Sequence, residues 1–481
     1  MSSIGLNQGL THLPGSSYET KLLVERLLAE DREKHHCFFG KIGFHNHLPH
    51  HILAAYDLAA PAKVLQNIYD EEAKILSPIN LVDRKENIVQ DLDITLSREN
   101  WTEFVGPEKH YPAFLKFFKA EVARLGPAEC LEEYIFSPKS NGNGTDMLLR
   151  FVGGALHPFI QVGYGVEFNE PTLVASGLAQ AAVHNPLSAG LYDDNPPVSN
   201  SSVPLLSIIR KMYDSDILHP VMPYQPDALL STRSKDALSN GRPEEIRRLS
   251  SLFTINSADP ADINRRVEEL IWASTLLTFA TGKHGREPRL DFFLMHLLTS
   301  SLFLPSLVNV LKTPENKARL LRLYASVMLL VVLLRGRPRI DPTLMMTYSP
   351  NPKPPVKNAA VKPDKSALGD PRDPECVNPW PAIIESVIYA PDAHTVKSLR
   401  TLYYAAQFYG ETPPGGMPGA FDENGKESLE GASILDGTIF VRAAGVLMDK
   451  LGWVSYGQKE GKWDRTALGW DAAWDGPDPD L

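Results

Sequence analysis

A chain of 481 residues can bury a large core, and 43% hydrophobic with 22% charged residues is the make-up of a globular protein in water. A net charge of −10 argues against nucleic acid and anionic membrane as main partners. Three widely spaced cysteines, Cys37, Cys130 and Cys376, give no disulfide framework and no thiolate-rich zinc site, and they fit a reducing, cytoplasmic compartment.

The first residues lack a basic stretch followed by an apolar one, so no signal peptide is expected. Ser16 with Glu19 makes a capping-box pattern, and leucines follow at helical spacing to about Glu30. Residues 35–51 are dense in histidine. A helix is predicted from Ile52 to Ala60 and another from Pro61 through Ile75. Helices are expected over 111–125 and 146–156, separated by the turn-rich loop 137–144. An alanine-rich helix runs from Pro171 to His184 and is stopped by Pro186; 193–202 is a polar loop.

The strongest helical periodicity lies at 261–281, 290–302 and 315–334. The most apolar run, 324–334, is too short to span a bilayer and is flanked by Arg322 and Arg335, so a buried core helix is predicted. Residues 348–381 are rich in Pro, Lys, Asp and Ser and read as an exposed loop. The end of the chain, 470–481, alternates tryptophan with aspartate: an acidic tail, strapped down by Trp470 and Trp474. There is no internal repeat and no regular series of strands. The expected fold is mainly α, one large helical domain with few or no strands.

The segment 392–410 holds the clearest chemical oddity. Asp392 is a good N-cap, Val396, Leu399, Tyr403 and Ala406 recur at helical spacing, and Gly410 and Pro413 end the run. His394 and Lys397 share one face beside the apolar stripe. An inward ammonium near a helix N-terminus loses hydration and meets the positive end of the dipole. Either Lys397 snorkels to solvent along its apolar stem, or it is not a simple ammonium and His394 binds a metal beside it.

Other histidines leave similar alternatives open. His45, His47, His50 and His51 sit at the mouth of a helix, as metal ligands or as polar residues of a helix start. His157 precedes Pro158, where the helix must break or kink; it either faces a cavity or satisfies freed carbonyls. His296 is apolar on nearly every side and needs a partner for each ring nitrogen. His184 is explained by the dipole at a helix C-terminus. Walker, His-Glu-x-x-His and Gly-x-Ser-x-Gly motifs are absent, and Gly163-Tyr-Gly165 lacks the third glycine of a dinucleotide fingerprint. No flavin is therefore expected.

Together these segments resemble the questin oxidase-like proteins of fungal polyketide clusters. The resemblance is carried by Asn46-His-Leu-Pro49 with Ile52-Leu-Ala-Ala-Tyr-Asp-Leu58, and by Asn100-Trp-Thr-Glu-Phe-Val-Gly106 with Tyr111-Pro-Ala-Phe-Leu-Lys-Phe-Phe118. It continues through Gly154-Ala-Leu-His-Pro-Phe159, Leu178-Ala-Gln-Ala-Ala-Val-His184, Met295-His-Leu-Leu-Thr-Ser300 and His394-Thr-Val-Lys397. It implies oxidative opening of an anthraquinone-type ring with O₂, formally a Baeyer–Villiger insertion or C–C cleavage, at a non-haem Fe(II). The implied ligands are His47, His157, His296, His394 and a carboxylated Lys397, the catalytic lysine. His45, His50 and His51 then fall to the pocket wall. Relatives often carry histidine where this chain has Gln161, which is not counted as a ligand.

The implied chemistry is coherent. Imidazoles with an oxygen donor suit iron, and a lysine carbamate derived from CO₂ supplies that oxygen where an ammonium cannot. Metal and substrate can then provide the electrons, so NAD(P)H enters only indirectly, through a separate reductase if at all. A flat polyphenol needs an apolar slot with a few anchors, for which Trp101, Tyr164, Glu167, Arg400 and Tyr404 are candidates. The competing readings are a zinc hydrolase on the same histidines and a metal-free helical scaffold.

Overall fold

The computed structural model describes residues 5–11, 13–194, 202–220, 222–355 and 362–476. Helices dominate, and the only strands among these residues form two short antiparallel pairs, Phe38–Phe39 with Phe44–His45 and Leu81–Asp83 with Ile88–Val89. The fold is mainly α. The chain divides into two compact units, each assembled from separate stretches. The first is Met1–Val198, Thr254–Val267 and Ser300–Val327; the second is Ser199–Phe253, Glu268–Thr299 and Met328–Leu481.

In the first unit, the opening helix is Tyr18–Lys34, and its cap is Ser17, whose hydroxyl accepts from the Thr20 amide, rather than the expected Ser16. The centre of this unit is a close pair of helices, Gly153–Glu167 and Pro171–Val183, with Tyr111–Leu125 packed on the latter. The pair approaches closely because its contact residues are small. A Cβ on Gly177 would lie 2.5 Å from Val162 Cγ2 and 2.8 Å from the Val162 amide nitrogen. Every residue of the second helix from Leu173 onward is buried.

Residues 146–156 do not form the single helix that their pattern predicts. The helix Met147–Phe151 ends, and Gly154, Ala155 and Leu156 adopt consecutive left-handed conformations with φ of 54°, 54° and 68°. The chain then re-enters a helix that carries Pro158 and continues through Gly163 and Gly165 to Glu167. Pro158 has no amide to donate, so its place after this reversal costs no helical hydrogen bond.

In the second unit, Ala393–Tyr409 packs on Ile439–Leu447. Asp392 caps the former, accepting from the His394 amide at 2.9 Å. The apolar run at 324–334, which begins in the first unit and ends in the second, is buried at every residue but Val331. Described residues of 348–381 are largely exposed; they hold the short helical turn Pro374–Cys376 and, at their end, the start of the helix Trp380–Val387. In the tail, Trp474 is buried and donates from Nε1 to the Leu468 carbonyl, while Arg289 lies over its ring; Arg233 lies over Trp470. Residues 477–481 and most of the 193–202 loop lie outside the described residues. Among the described residues, no single helix is long and apolar enough to cross a membrane.

Candidate functional site

In the first unit, the histidine-rich segment is fixed by Asn46. Its amide donates to Asp31 Oδ1 at 2.8 Å, and its carbonyl oxygen accepts from the Leu48 amide at 2.9 Å. His45, in the short hairpin, and His47, which caps Leu48–Asp57, therefore hold set positions on either side of a buried anchor. The left-handed turn brings His157 to them. His157 Nδ1–H donates to the Gly154 carbonyl, which fixes the tautomer and leaves a lone pair on Nε2. That Nε2 lies 2.9 Å from His47 Nε2. His157 thus satisfies a freed carbonyl with one nitrogen, as one of the two readings expects, and presents the other to a second imidazole.

A second histidine pair lies against the first. His184 Nδ1–H donates to the Gln180 carbonyl, so its Nε2 accepts from His45 Nε2–H at 2.7 Å. The His45 ring stacks on His157 with centroids 3.7 Å apart and planes 5° from parallel. Burial holds His184 down to about 4. It is therefore neutral at physiological pH, and the expected favourable charge at a helix C-terminus is replaced by a hydrogen bond.

Gly154 makes room for this pair. A Cβ there would lie 2.4 Å from His184 Cδ2, 2.5 Å from His184 Nε2 and 3.0 Å from His45 Nε2. Gly154→Ala adds that clash to the cost of a left-handed alanine, and it is expected to lower stability by about 2 kcal/mol or more. Denaturant melts monitored by fluorescence measure this. A loss below about 0.5 kcal/mol would show that the turn relaxes.

His50 and His51 point elsewhere. His50 Nε2 bonds the Gln161 side-chain oxygen at 2.6 Å and stacks on Tyr164, and Gln161 in turn donates to Ser176 Oγ at 2.7 Å. His51 Nδ1 pairs with Glu72.

In the second unit, two further imidazoles are locked in the same manner as His157. His296 Nδ1–H donates to the Phe292 carbonyl at 2.8 Å. His394 Nδ1–H donates to Asp392 Oδ1 at 2.7 Å. Each Nε2 therefore carries a lone pair. The two ring centroids are 5.2 Å apart, and Phe292 lies 4.9 Å from both. Burial, with positive charge nearby, lowers both imidazoles and keeps them neutral. Burial alone would raise Asp392, but His394 and Lys397 overcome it and hold the carboxyl well below its usual range. Lys397 is 2% exposed, so it does not snorkel to solvent.

Of the five expected substrate residues, Trp101, Tyr164 and Glu167 belong to the first unit and Arg400 and Tyr404 to the second. Trp101 is buried among Phe117, Phe118 and Tyr134 as aromatic packing. Tyr164 is buried between His50 and Phe303. Glu167 accepts from the Leu10 amide at 2.8 Å. In the second unit, Arg400 is fully buried and Tyr404 packs on Phe408. The residue that sequence reasoning undervalued is Asp392: read only as a cap, it also orients His394. The signal was available, because an Asp two residues before a helical histidine can reach both the amide and the imidazole.

Comparison with known proteins gives the site its context. A questin oxidase of Aspergillus fumigatus is 29% identical over 336 residues, covering 68% of this chain and 73% of its own. A Baeyer-Villiger monooxygenase of Cryptosporiopsis is 28% identical over 333 residues, 67% and 72% of the two chains. A Baeyer-Villiger oxidase of Pestalotiopsis fici is 31% identical over 294 residues, 59% and 62%. Such relatives place the chain among oxidoreductases. It belongs to the questin oxidase-like family, whose model matches residues 44–402.

Proposed function

We propose that this chain is an oxygenase that opens the quinone ring of an anthraquinone-type polyketide with O₂, using a non-haem Fe(II). The iron would be held by His47, His157, His296, His394 and a carbamate on Lys397. One observation carries the reading. Three of the four imidazoles give Nδ1–H to a backbone carbonyl or carboxylate, which aims a basic Nε2 as metal-binding histidines require. The donor chemistry fits: neutral imidazoles and an anionic oxygen suit a metal that reacts with O₂. The names of the relatives support an oxidase or Baeyer–Villiger outcome.

When bound, iron supplies the one-electron chemistry that O₂ requires. The protein's own residues prepare for it. Asp392 holds the His394 tautomer, and the Phe292 carbonyl does the same for His296. The Lys397 amine nitrogen bonds the carbon of CO₂ and releases one proton. An acyl oxygen donor then replaces the charge that would repel a cation, and the N-terminal part of the Ala393–Tyr409 helix favours its negative charge.

The test is metal analysis by mass on anaerobically purified protein, with O₂ uptake on a hydroxyanthraquinone. One iron per chain is expected. His47→Ala, His157→Ala, His296→Ala and His394→Ala should each lower iron content and O₂ uptake together. Full iron occupancy in two or more of them means that the ligands are wrongly assigned. Stoichiometric zinc without O₂ uptake would favour a hydrolase. Visible spectra should lack flavin bands, and a stoichiometric flavin that purifies with activity would displace the iron mechanism.

A further inference from the structure

The second unit holds a cavity of about 310 Å³ between residues 288–290 and the segment 459–466. That volume is at the lower bound for a small-molecule site. Its cations are Arg289, Lys450, Lys459, Lys462 and Arg465, and its acids are Glu460 and Asp464. Arg289 is engaged by Asp464 at 2.7 Å, and Lys450 pairs with Glu287. Lys459, Lys462 and Arg465 are then set against two carboxyls, Glu460 and the nearby Asp392, which acts on Arg465; partial burial and Asp392 push Glu460 above its usual range. The cavity is electropositive in a protein of net charge −10.

Two further features make it more than a basic surface. Trp463 lines it, is 7% exposed, and has its indole N–H without a hydrogen-bond partner among the described residues. A buried indole donor normally finds an acceptor, and a ligand oxygen in the cavity would provide one. Arg465 lies over the Phe292 ring at 3.9 Å, and that same ring lies 4.9 Å from both His296 and His394. A molecule held at Arg465 is thus about one aromatic ring from the two histidines.

We propose that this cavity anchors an aromatic substrate through an anionic substituent, an ionised phenol or a carboxylate. Arg465 and Lys462 bind the anion, and Trp463 donates to an oxygen on the ring system. The proposal rests on the oxygenase reading for the identity of the ring, but its geometry stands without iron. Most of the wall, residues 450 and 459–466, lies beyond residue 402, where the family match ends. These residues would therefore set this chain's own substrate preference.

The probes are anthraquinone-2-carboxylate and its neutral carboxamide, titrated calorimetrically into full-length protein with and without iron. Wild type should bind the carboxylate at least tenfold more tightly. Arg465→Met should remove most of that preference and leave carboxamide affinity within twofold. Lys462→Met should remove a smaller part, and Trp463→Phe should weaken both probes. Iron content should be unchanged in all three variants, which separates this test from that of the metal ligands. Equal affinity of wild type for the two probes overturns the proposal, as does an unchanged preference in both Arg465→Met and Lys462→Met. Displacement of the carboxylate by inorganic phosphate at equal concentration also overturns it, because it would mark a simple anion site.

Discussion

Asp291→Ala is expected to destabilise the second unit by about 3–5 kcal/mol, a large part of the stability of any domain. Asp291 is 1% exposed and Arg335 is fully buried, and Arg335 Nε donates to both carboxylate oxygens, at 3.0 and 2.8 Å. Removing the acid leaves a guanidinium buried without this counter-ion, beside the face of Phe293 at 4.8 Å and near the like charge of Arg233. The same carboxylate caps the Phe292–Ser301 helix, accepting from the Phe293 and Leu294 amides, so about 1 kcal/mol of capping is lost as well.

The double variant Asp291→Leu with Arg335→Met removes both charges and should recover most of the stability, because a buried pair is often matched by apolar residues of similar size. It should not recover the cap. Because His296 lies on this helix, its first turn should loosen and iron affinity should stay low in a protein that melts near wild type. Urea melts followed by tryptophan fluorescence, with metal analysis of each variant, check both parts. A loss below about 1 kcal/mol in Asp291→Ala would mean that Arg335 finds another partner or water.

The elements legible from sequence were those whose signals are local. Asp392 with Gly410, and Pro171 with Pro186, bracket their helices because caps and proline act on adjacent residues. The turn at Gly154–Leu156 was not legible: left-handed Ala155 and Leu156 go against their own backbone preference and persist through tertiary packing. The helix through Gly163 and Gly165 was hidden by glycines that look like loop residues. They are small because Phe303 and Val174 press against them.

The site divides in the same way. His394 and Lys397 shared a face on helical spacing alone. The His47–His157 contact depends on the left-handed turn and could not be read from spacing. The surroundings of Trp101, which stands in a polar stretch, could not be read from local pattern. Phe117, Phe118 and Tyr134, from separate stretches of the chain, are the rings it packs on.

Lys397→Arg is expected to abolish activity, with at least a hundredfold fall in turnover and a matching loss of iron. A guanidinium cannot add CO₂ and brings a permanent positive charge to buried histidines. A lysine that snorkelled to solvent would tolerate arginine. At 2% exposure, beside His394 and His296, Lys397 has no solvent to reach. Lys397→Ala should lose activity too, but it leaves a gap, and a short carboxylate added in solution should restore part of the iron binding. Lys397→Glu should retain some metal with little turnover, because its carboxylate sits on a shorter stem. Depleting CO₂ during reconstitution should weaken iron binding in wild type and leave Lys397→Ala unaffected. These outcomes separate the carbamate from the histidine ligands. A fully active Lys397→Arg, or iron binding indifferent to CO₂, would remove the carbamate and leave a centre of imidazoles alone.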